Sequence, residues 1–237
     1  MLLNNFSLLS RCLFITGFFP LVALVLGADS LWYAEANSEQ SIANLLAAIY
    51  FLGLLTVLDS QERIMAIIFV PFSALAEYIF SSILEVYTYR LETVPLYVPL
   101  GHAILFGTGL MLAKLPAIAV RDKLQTILFT IQALIFAGVI IFWQDIFTAV
   151  LGILFGLVIW WRGCRLIYPI MCFLVLYIEL LGTNFGCWTW QANTFNIFHT
   201  TNPPFGAFVF YVFGDITILK MARFFQFKPN VTLSNQD

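Results

Sequence analysis

Residues 85–104 read EVYTYRLETVPLYVPLGHAI, and residues 186–207 read GCWTWQANTFNIFHTTNPPFGA. Each stretch contains an aromatic–Thr–aromatic triplet, a polar segment, a proline-bearing segment and a glycine in a new apolar run. Each also follows an apolar run that contains a glutamate, Glu77 in the first case and Glu179 in the second. The repetition of these features in the same order indicates an internal duplication, in which the two halves of the chain fold alike.

The composition is that of a membrane protein. Hydrophobic residues make up 61% of the 237 residues and charged residues only 10%. Because a soluble domain carries about 25% charged residues, this chain has too few to cover a surface that faces water. An α-helix satisfies its own backbone hydrogen bonds in lipid. The composition therefore predicts an all-α, multi-pass membrane protein.

Eight apolar runs approach the length of about 20 residues with which a helix crosses a bilayer. The first run is interpreted as a retained helix and not as a cleaved signal peptide, because seven more runs follow it. No soluble domain is evident, so residues 1–237 are interpreted as one integral membrane domain that ends in a polar tail over 228–237. The predicted spans are residues 12–28, 41–58, 64–84, 97–114, 124–143, 146–161, 165–182 and 204–221.

Basic residues are distributed unevenly between the segments that connect these spans. If the N-terminus lies in the cytoplasm, the opposite side holds Arg90 as its one basic residue. Cytoplasmic loops carry an excess of Lys and Arg, so both termini are predicted to be cytoplasmic, in a membrane of the bacterial inner-membrane type. The cytoplasmic basic residues are Arg11, Arg63, Lys114, Arg121, Lys123, Arg162, Arg165, Lys220, Arg223 and Lys228, and the acidic residues opposite are Asp29, Glu35, Glu39, Glu85, Glu92 and Asp145.

The duplication then has a defined geometry. Spans 1–4, within residues 1–116, and spans 5–8, within residues 117–227, form two halves of four helices. An even number of spans gives both halves the same orientation, so the repeat is parallel and its pseudo-axis follows the membrane normal. The corresponding outer segments are Tyr87–Tyr89 with Trp188–Trp190, and residues 99–101 with residues 204–206.

Four ionisable residues, Glu77, Glu179, Asp215 and His102, are predicted to lie within the spans. A charged side chain at the bilayer centre costs about 2.5–3.5 kcal/mol on insertion scales, and such residues commonly mark functional sites. These four are therefore the candidate catalytic residues. Each also has a structural alternative. Glu77 could be a neutral carboxyl bonded to a backbone carbonyl or a tyrosine, and Glu179 could contact water at the membrane interface. Asp215 could form an ion pair with Lys220 or Arg223, and His102 could bond a loop carbonyl.

The aromatic residues near the two glutamates indicate a particular chemistry. A carboxyl group removed from water favours its neutral form and can then donate a proton. Aromatic faces attract positive charge, so acid and rings together could protonate an alkene and stabilise the carbocation. That chemistry suits an isoprenoid dissolved in the bilayer, although Trp and Tyr also collect at membrane interfaces. The candidate substrate-binding residues are Tyr78, Tyr87, Tyr89, Trp188 and Trp190.

The four cysteines predict no metal site, because no CxxC motif is present, and no cofactor is implied. Cys187 is the one cysteine in a predicted outer loop, where His199 and Arg90 also lie. Together these three could support thiol chemistry, although no motif indicates it.

A family resemblance follows from the order of these motifs. Glu77, then Tyr87–Tyr89, then Val94–Pro99 (VPLYVP) resembles the membrane-bound carotenoid biosynthesis proteins of the bisanhydrobacterioruberin hydratase type. Gly186–Trp190 followed by Asn202-Pro203 is similar to a later motif of that family. The resemblance implies an all-helical membrane protein that adds water to an end double bond of a long polyene. It supports Glu77, Tyr87, Tyr89, Trp188 and Trp190 as pocket residues.

The preferred function is an intramembrane lyase or isomerase that hydrates or cyclises an isoprenoid or carotenoid-like lipid, with Glu77 as proton donor and Glu179 as base or second acid. The alternative is a lipid-binding or transport protein, or a subunit of a homo-oligomer or larger membrane complex. Carboxyl groups open to water on both sides would favour transport. A closed apolar slot with an opening to lipid would favour the enzyme, and a broad flat apolar face would favour a subunit.

Overall fold

The computed structural model describes residues 5–34, 40–119 and 122–226, and helices dominate these ranges, as the composition predicts. The predicted charges at Glu35, Glu39, Arg121 and Lys228, and the polar tail over 228–237, lie outside the described residues. Within the described ranges, five helices are long and apolar enough to cross a membrane. These are Ser7–Ala28, Ser60–Ile83, Lys123–Trp143, Ile167–Asn184 and Phe205–Ala222.

Within the same ranges, long helices occupy all eight positions at which apolar runs predict them. α3 and α8 have 17 residues each, at the lower end of the roughly 17–25 that a transmembrane helix uses. The helices are α1 (Asn5–Ala28), the short α2 (Leu31–Ala34), α3 (Ser41–Val57), α4 (Ser60–Glu77), α5 (Tyr97–Lys114), the short α6 (Pro116–Ala119), α7 (Asp122–Trp143), α8 (Ile146–Arg162), α9 (Ile167–Asn184) and α10 (Phe208–Gln226).

The helix boundaries depart from the predicted ones where polar residues continue or begin a helix. α4 begins at Ser60, four residues before the predicted span, because Asp59 caps it: the Asp59 carboxylate accepts a hydrogen bond from the Glu62 backbone N–H at 2.8 Å, and Glu62 accepts one from the Asp59 N–H at 2.9 Å. This reciprocal pair is a capping box. After Glu77 the helix continues as a π-helix over Tyr78–Ile83. A 3₁₀ turn over Phe205–Ala207 leads into α10.

A buried charge cluster joins three helices at one end of the bundle, called here the Glu62 end. The carboxylate of Glu62 is fully buried and accepts hydrogen bonds from Arg11 Nη2 and Lys114 Nζ, each at 2.8 Å. These contacts connect α4 to α1 and α5. Partial burial would raise the pKa of the neighbouring Asp59, but the Glu62 N–H and the Lys114 ammonium hold it below the usual value.

At the opposite end, called the strand end, the two aromatic triplets form β-strands. β1 (Tyr87–Tyr89) pairs antiparallel with β2 (Trp188–Trp190), with Thr88 opposite Thr189. Side chains alternate across a strand, so each exposed threonine is flanked by two aromatic rings that point into the protein. A second pair, β3 (Asn193–Thr194) and β4 (Phe198–His199), forms a small hairpin beside them.

Two buried aspartates anchor the loops at the strand end. Asp29 follows α1 and accepts hydrogen bonds from Arg90 Nη2 at 2.6 Å and from the Tyr97 hydroxyl at 2.7 Å. Asp145 follows α7, caps α8 through the Thr148 N–H at 2.7 Å, and accepts from the Thr201 N–H at 3.2 Å. The sequence predicts both aspartates to be acidic residues of outer loops, and in the structure both are fully buried. The partner of Arg90 is therefore Asp29.

Aromatic packing closes the middle of the bundle. Phe69 of α4 stacks on Phe106 of α5, with ring centroids 4.8 Å apart. Phe69 also lines the cavity that occupies the strand end. Phe69 is therefore part of the wall of the main cavity, and Phe106, which packs behind it, lines a separate small cavity.

Candidate functional site

A cavity of about 440 Å³ lies beneath β1 and β2 and between α1, α4, α5, α9 and α10. This volume is within the roughly 300–1,000 Å³ of pockets that hold small molecules. Most of its wall is apolar, formed by phenylalanine, leucine, valine and alanine side chains. The polar groups in the wall are few, and they include both predicted glutamates.

Glu77 occupies the last position of α4, directly below β1. Its Oε2 accepts hydrogen bonds from the Tyr87 hydroxyl at 2.7 Å and from the Tyr89 hydroxyl. Tyr87 and Tyr89 are two residues apart on a strand, so their rings point to the same face and reach the same carboxyl oxygen. Burial of Glu77 is thus compensated by two donors that lie on the adjacent strand.

Glu179 on α9 has a matching arrangement below β2. Its Oε2 accepts hydrogen bonds from the indole N–H groups of Trp188 and Trp190, both at 2.9 Å. Among the described residues, no donor lies within hydrogen-bond distance of Oε1. That oxygen belongs to a residue in the cavity wall, so it is the one available to a ligand.

The two aromatic pairs differ in chemistry. An indole N–H can only donate, whereas a phenolic hydroxyl can donate or accept. Both indoles donate to Oε2 of Glu179, so a carboxyl proton on Glu179 must lie on Oε1, toward the cavity. In Glu77, by contrast, both oxygens already face protein groups that can exchange a proton with them.

His102 is the second neighbour of Glu77. Its Nε2 lies 3.1 Å from Glu77 Oε1 and 3.1 Å from the Tyr211 hydroxyl of α10. His102 is in the first turns of α5, which places its ring in the cavity wall beside Glu77. His102 Nε2 therefore lies within reach of both Glu77 and Tyr211, and its single N–H or lone pair can bond one of them at a time.

The structure brings seven of the nine predicted site residues to this cavity, and two lie elsewhere. Tyr78 is 56% exposed on the outside of the bundle, because one residue of helix after Glu77 rotates the side chain by about 100°. Asp215 lies in the wall of a separate cavity of about 30 Å³ with Arg162, Arg165 and hydrophobic neighbours. The residues at the main cavity are Glu77, His102, Glu179, Tyr87, Tyr89, Trp188 and Trp190.

Asp215 is buried, and neither of its carboxyl oxygens has a hydrogen-bond partner among the described residues. The alternative of an ion pair with Lys220 is not formed: the Lys220 ammonium lies over the Trp161 ring, 5.6 Å from its centroid. The side chain of Arg223 is outside the described part of the chain. Asp215 is therefore not part of the cavity of the two glutamates, and it forms no salt bridge with a described residue.

The thiol set considered from the sequence is dispersed. Cys187 is buried, with its Sγ 3.3 Å from the Leu26 carbonyl oxygen. His199 is exposed and contacts the Gln144 carbonyl through Nδ1 at 3.1 Å. Since Arg90 is bound to Asp29, these three side chains do not form one site.

Sequence reasoning missed Tyr211 and Gly182. Tyr211 carries no motif, and only the tertiary structure places its hydroxyl beside His102. Gly182 lies one helical turn after Glu179, and a Cβ atom built there would lie 2.0 Å from Cη2 of Trp188. Glycine is therefore needed at 182 for the Trp188 indole to cross α9 and reach Glu179. The Glu-x-x-Gly spacing of Glu179 and Gly182 is the one sequence signal of this contact.

No family model matches the chain, and no curated protein or solved structure matches it. The site is therefore interpreted from its own geometry.

Proposed function

We propose that the protein is an intramembrane enzyme that protonates a carbon–carbon double bond of an isoprenoid or carotenoid-like lipid, leading to hydration or cyclisation. The observation that carries this proposal is that two buried carboxyl groups, each held by a pair of aromatic donors, lie in the wall of one apolar cavity. The largely apolar wall favours an apolar substrate, and the carboxyl groups supply acid and base.

Glu179 is the better proton donor of the two, which reverses the assignment predicted from the sequence. Oε1 of Glu179 is open to the cavity, so its proton can reach an alkene carbon directly. Glu77 accepts hydrogen bonds from Tyr87 and Tyr89 at Oε2 and has His102 Nε2 3.1 Å from Oε1, an arrangement that suits a base. The transferred proton adds to one alkene carbon and leaves the positive charge on the other.

The carbocation can then follow one of two balanced routes. In hydration, a water oxygen bonds to the cationic carbon, and the extra proton of that water passes to Glu77. In cyclisation, a second double bond of the chain attacks the cation, and the ring cation loses a proton from an adjacent carbon to Glu77. Each route returns one proton for the one that Glu179 gave.

Aromatic faces support the cationic stage. The rings of Tyr87 and Trp190 lie 4.7 Å apart between centroids, and those of Tyr89 and Trp188 lie 6.2 Å apart. All four line the cavity, so a positive charge that develops between the glutamates is close to several ring faces. The same rings, through their hydroxyl and N–H groups, hold the carboxyl groups in place.

The internal repeat and the span count belong to this proposal. We infer eight spans in two parallel halves, in which Glu77 with its two tyrosines corresponds to Glu179 with its two tryptophans. The antiparallel register, with Thr88 opposite Thr189, is what a pseudo-two-fold axis along the membrane normal requires. Asp29 and Asp145 correspond in the same way, since each follows the first helix of its half and anchors the loop after the strand.

The resemblance to carotenoid hydratases of the bisanhydrobacterioruberin type is consistent with this site. Of its motif residues, Glu77 and the aromatic residues of both triplets line the cavity. The rival function, lipid binding or transport without chemistry, would use the same cavity and leave the bound lipid unchanged.

The decisive experiment is to produce the protein in bacterial cells that accumulate lycopene and to analyse both the total lipid extract and the lipid that co-purifies with the protein by mass spectrometry. The enzyme is expected to yield a product heavier by one water for hydration, or an isomer of equal mass for cyclisation. Cells with the empty vector are the control. A bound isoprenoid that never changes would indicate a binding protein, and the absence of both product and bound isoprenoid would contradict the proposal.

The orientation of the chain can be tested with one engineered cysteine. Asn193 is exposed at the strand end, and the proposal places it outside the cytoplasm, whereas exposed Cys164 at the other end is placed inside. In intact cells, a membrane-impermeant maleimide is expected to label Asn193→Cys in a Cys164→Ser background and to leave native Cys164 unlabelled until the cells are lysed. The reverse pattern would invert the topology.

A further inference from the structure

One side of the cavity is formed by two helices whose lining residues are also partly exposed at the outer surface of the bundle. On α4 these are Phe72 and Ala76, one helical turn apart, followed by Phe80 on the π-helix. On α10 they are Phe213 and Thr217, also one turn apart. Phe213 is 42% exposed, so its side chain forms part of the cavity wall and part of the bundle surface.

The seam between α4 and α10 is held only by apolar contacts. Among the described residues, no hydrogen bond or ion pair joins the two helices. Their contact consists of packing such as Phe69 and Phe72 against Gly214, and the ring of Phe80 lies 4.6 Å from that of Phe210 between centroids. Such contacts can separate without leaving a buried polar group unpaired.

Three other helix pairs around the cavity are joined by polar contacts. The hydroxyl of Tyr177 on α9 donates to the Phe19 carbonyl of α1 at 2.9 Å. The hydroxyl of Ser73 on α4 donates to the Pro99 carbonyl of α5 at 3.3 Å. Tyr211 of α10 bonds His102 of α5. In the described part of the chain, the α4–α10 seam has no contact of this kind.

The two ends of the cavity are closed. At the strand end, β1 and β2 are joined across their flanks by hydrogen bonds from the Gln191 N–H to Val86 O at 3.0 Å and from the Arg90 N–H to Cys187 O at 2.9 Å. At the other end, the Phe69 ring in the cavity wall is backed by the ring of Phe106. These contacts favour a lateral route into the cavity over an axial one.

We propose that the cavity exchanges its ligand sideways with the bilayer, through a portal between α4 and α10 whose edges are Phe72, Ala76, Phe80, Phe213 and Thr217. The occupant is a linear isoprenoid chain, and in this respect the inference rests on the proposed function. An engineered cavity of about 150 Å³ holds one benzene ring, so about 440 Å³ holds on the order of 18 carbons. A longer isoprenoid would place one end at the glutamates and leave the remainder in the portal and the lipid.

The portal can be tested with a matched pair of substitutions on neighbouring residues. Ala76→Phe fills the edge of the portal, and Thr217→Phe does so from α10. Leu75→Phe makes a comparable change on a side chain that is 60% exposed and does not line the cavity. The background carries Trp32, Trp143, Trp160 and Trp161 changed to Phe, so that Trp188 and Trp190 are the remaining fluorophores.

Uptake and release of lycopene between detergent micelles would be followed by quenching of this fluorescence. We expect Ala76→Phe and Thr217→Phe to slow uptake and release at least tenfold each, with a smaller change in the ratio of the two rates. Leu75→Phe is expected to have the uptake and release rates of the parent. A blocked entrance slows both directions, whereas loss of cavity volume alone would speed release. Unchanged rates in both portal variants would overturn the portal and leave the proposed function standing.

A second measurement does not depend on the identity of the ligand. In nanodiscs of phosphatidylcholine brominated along its acyl chains, bromine is expected to quench Trp188 and Trp190 in the parent, and less so in Ala76→Phe. If the parent takes up no lycopene, the isoprenoid assignment is wrong. The bromine quenching then tests by itself whether the portal opens to the lipid. Equal quenching in the parent and Ala76→Phe, or none in the parent, would overturn it.

Discussion

Replacing Glu179 with glutamine is expected to lower turnover of the isoprenoid substrate by about 10²–10⁴-fold, the usual contribution of a positioned general acid. The amide oxygen of glutamine can still accept the indole N–H bonds of Trp188 and Trp190, so the fold and membrane insertion should be retained. What is lost is the proton on the oxygen that faces the cavity. The measurement is product formed per protein in membranes supplied with lycopene.

The matched control is Glu85→Gln, which makes the same chemical change on an exposed side chain at the strand end. Wild-type activity in Glu179→Gln would contradict the donor role. Full loss in both variants would indicate that the site responds to general disturbance and not to the loss of one acid.

Deuterium incorporation separates the roles of the two glutamates. Glu77→Gln is also expected to abolish product, since the base that completes either route is lost. In deuterated water, however, Glu179 can still add a deuteron to an alkene carbon and take back the proton of that same carbon, so recovered substrate should gain deuterium. Glu179→Gln should recover substrate without deuterium, and the opposite result would restore Glu77 as the donor, as the sequence alone predicted.

The second large effect concerns stability. Glu62→Ala is expected to reduce the free energy of unfolding by about 3–5 kcal/mol, the usual cost of removing one partner from a buried ion pair. Arg11, which is itself buried, would be left without a counter-charge, and α4 would lose half of its capping box. SDS-induced unfolding in mixed micelles would measure the change.

Lys114→Ala is the control for this prediction. Its ammonium is half-exposed, so its removal should change stability by only about 0–1 kcal/mol. The double variant Arg11→Ala/Glu62→Ala should lose less than the sum of the two single variants, because no uncompensated buried charge remains. A loss for Glu62→Ala no larger than that for Lys114→Ala would show that the cluster does not stabilise the bundle.

The helical membrane class and the positions of the long helices followed from the sequence alone. Both rest on local properties: each apolar run must satisfy its backbone hydrogen bonds within itself, and its length is set by the bilayer. The boundaries were less accurate, because Ser60–Arg63 is polar yet belongs to α4, where the capping box of Asp59 and Glu62 starts the helix. The spacing of Glu77 and Glu179 before their triplets also identified the residues that meet at the cavity.

Only the tertiary structure decided how these residues are used. Pairing of β1 with β2 aligns each aromatic pair over its glutamate, and strand pairing between residues about 100 positions apart cannot be read from local pattern. The same is true of Tyr211 beside His102, of Tyr78 on the outer surface and of Asp215 in a separate cavity. The physical reason is that burial, direction and partner depend on which helix faces pack together. Sequence periodicity states that a side chain is apolar or polar, but packing determines which oxygen of Glu179 is left open to the cavity.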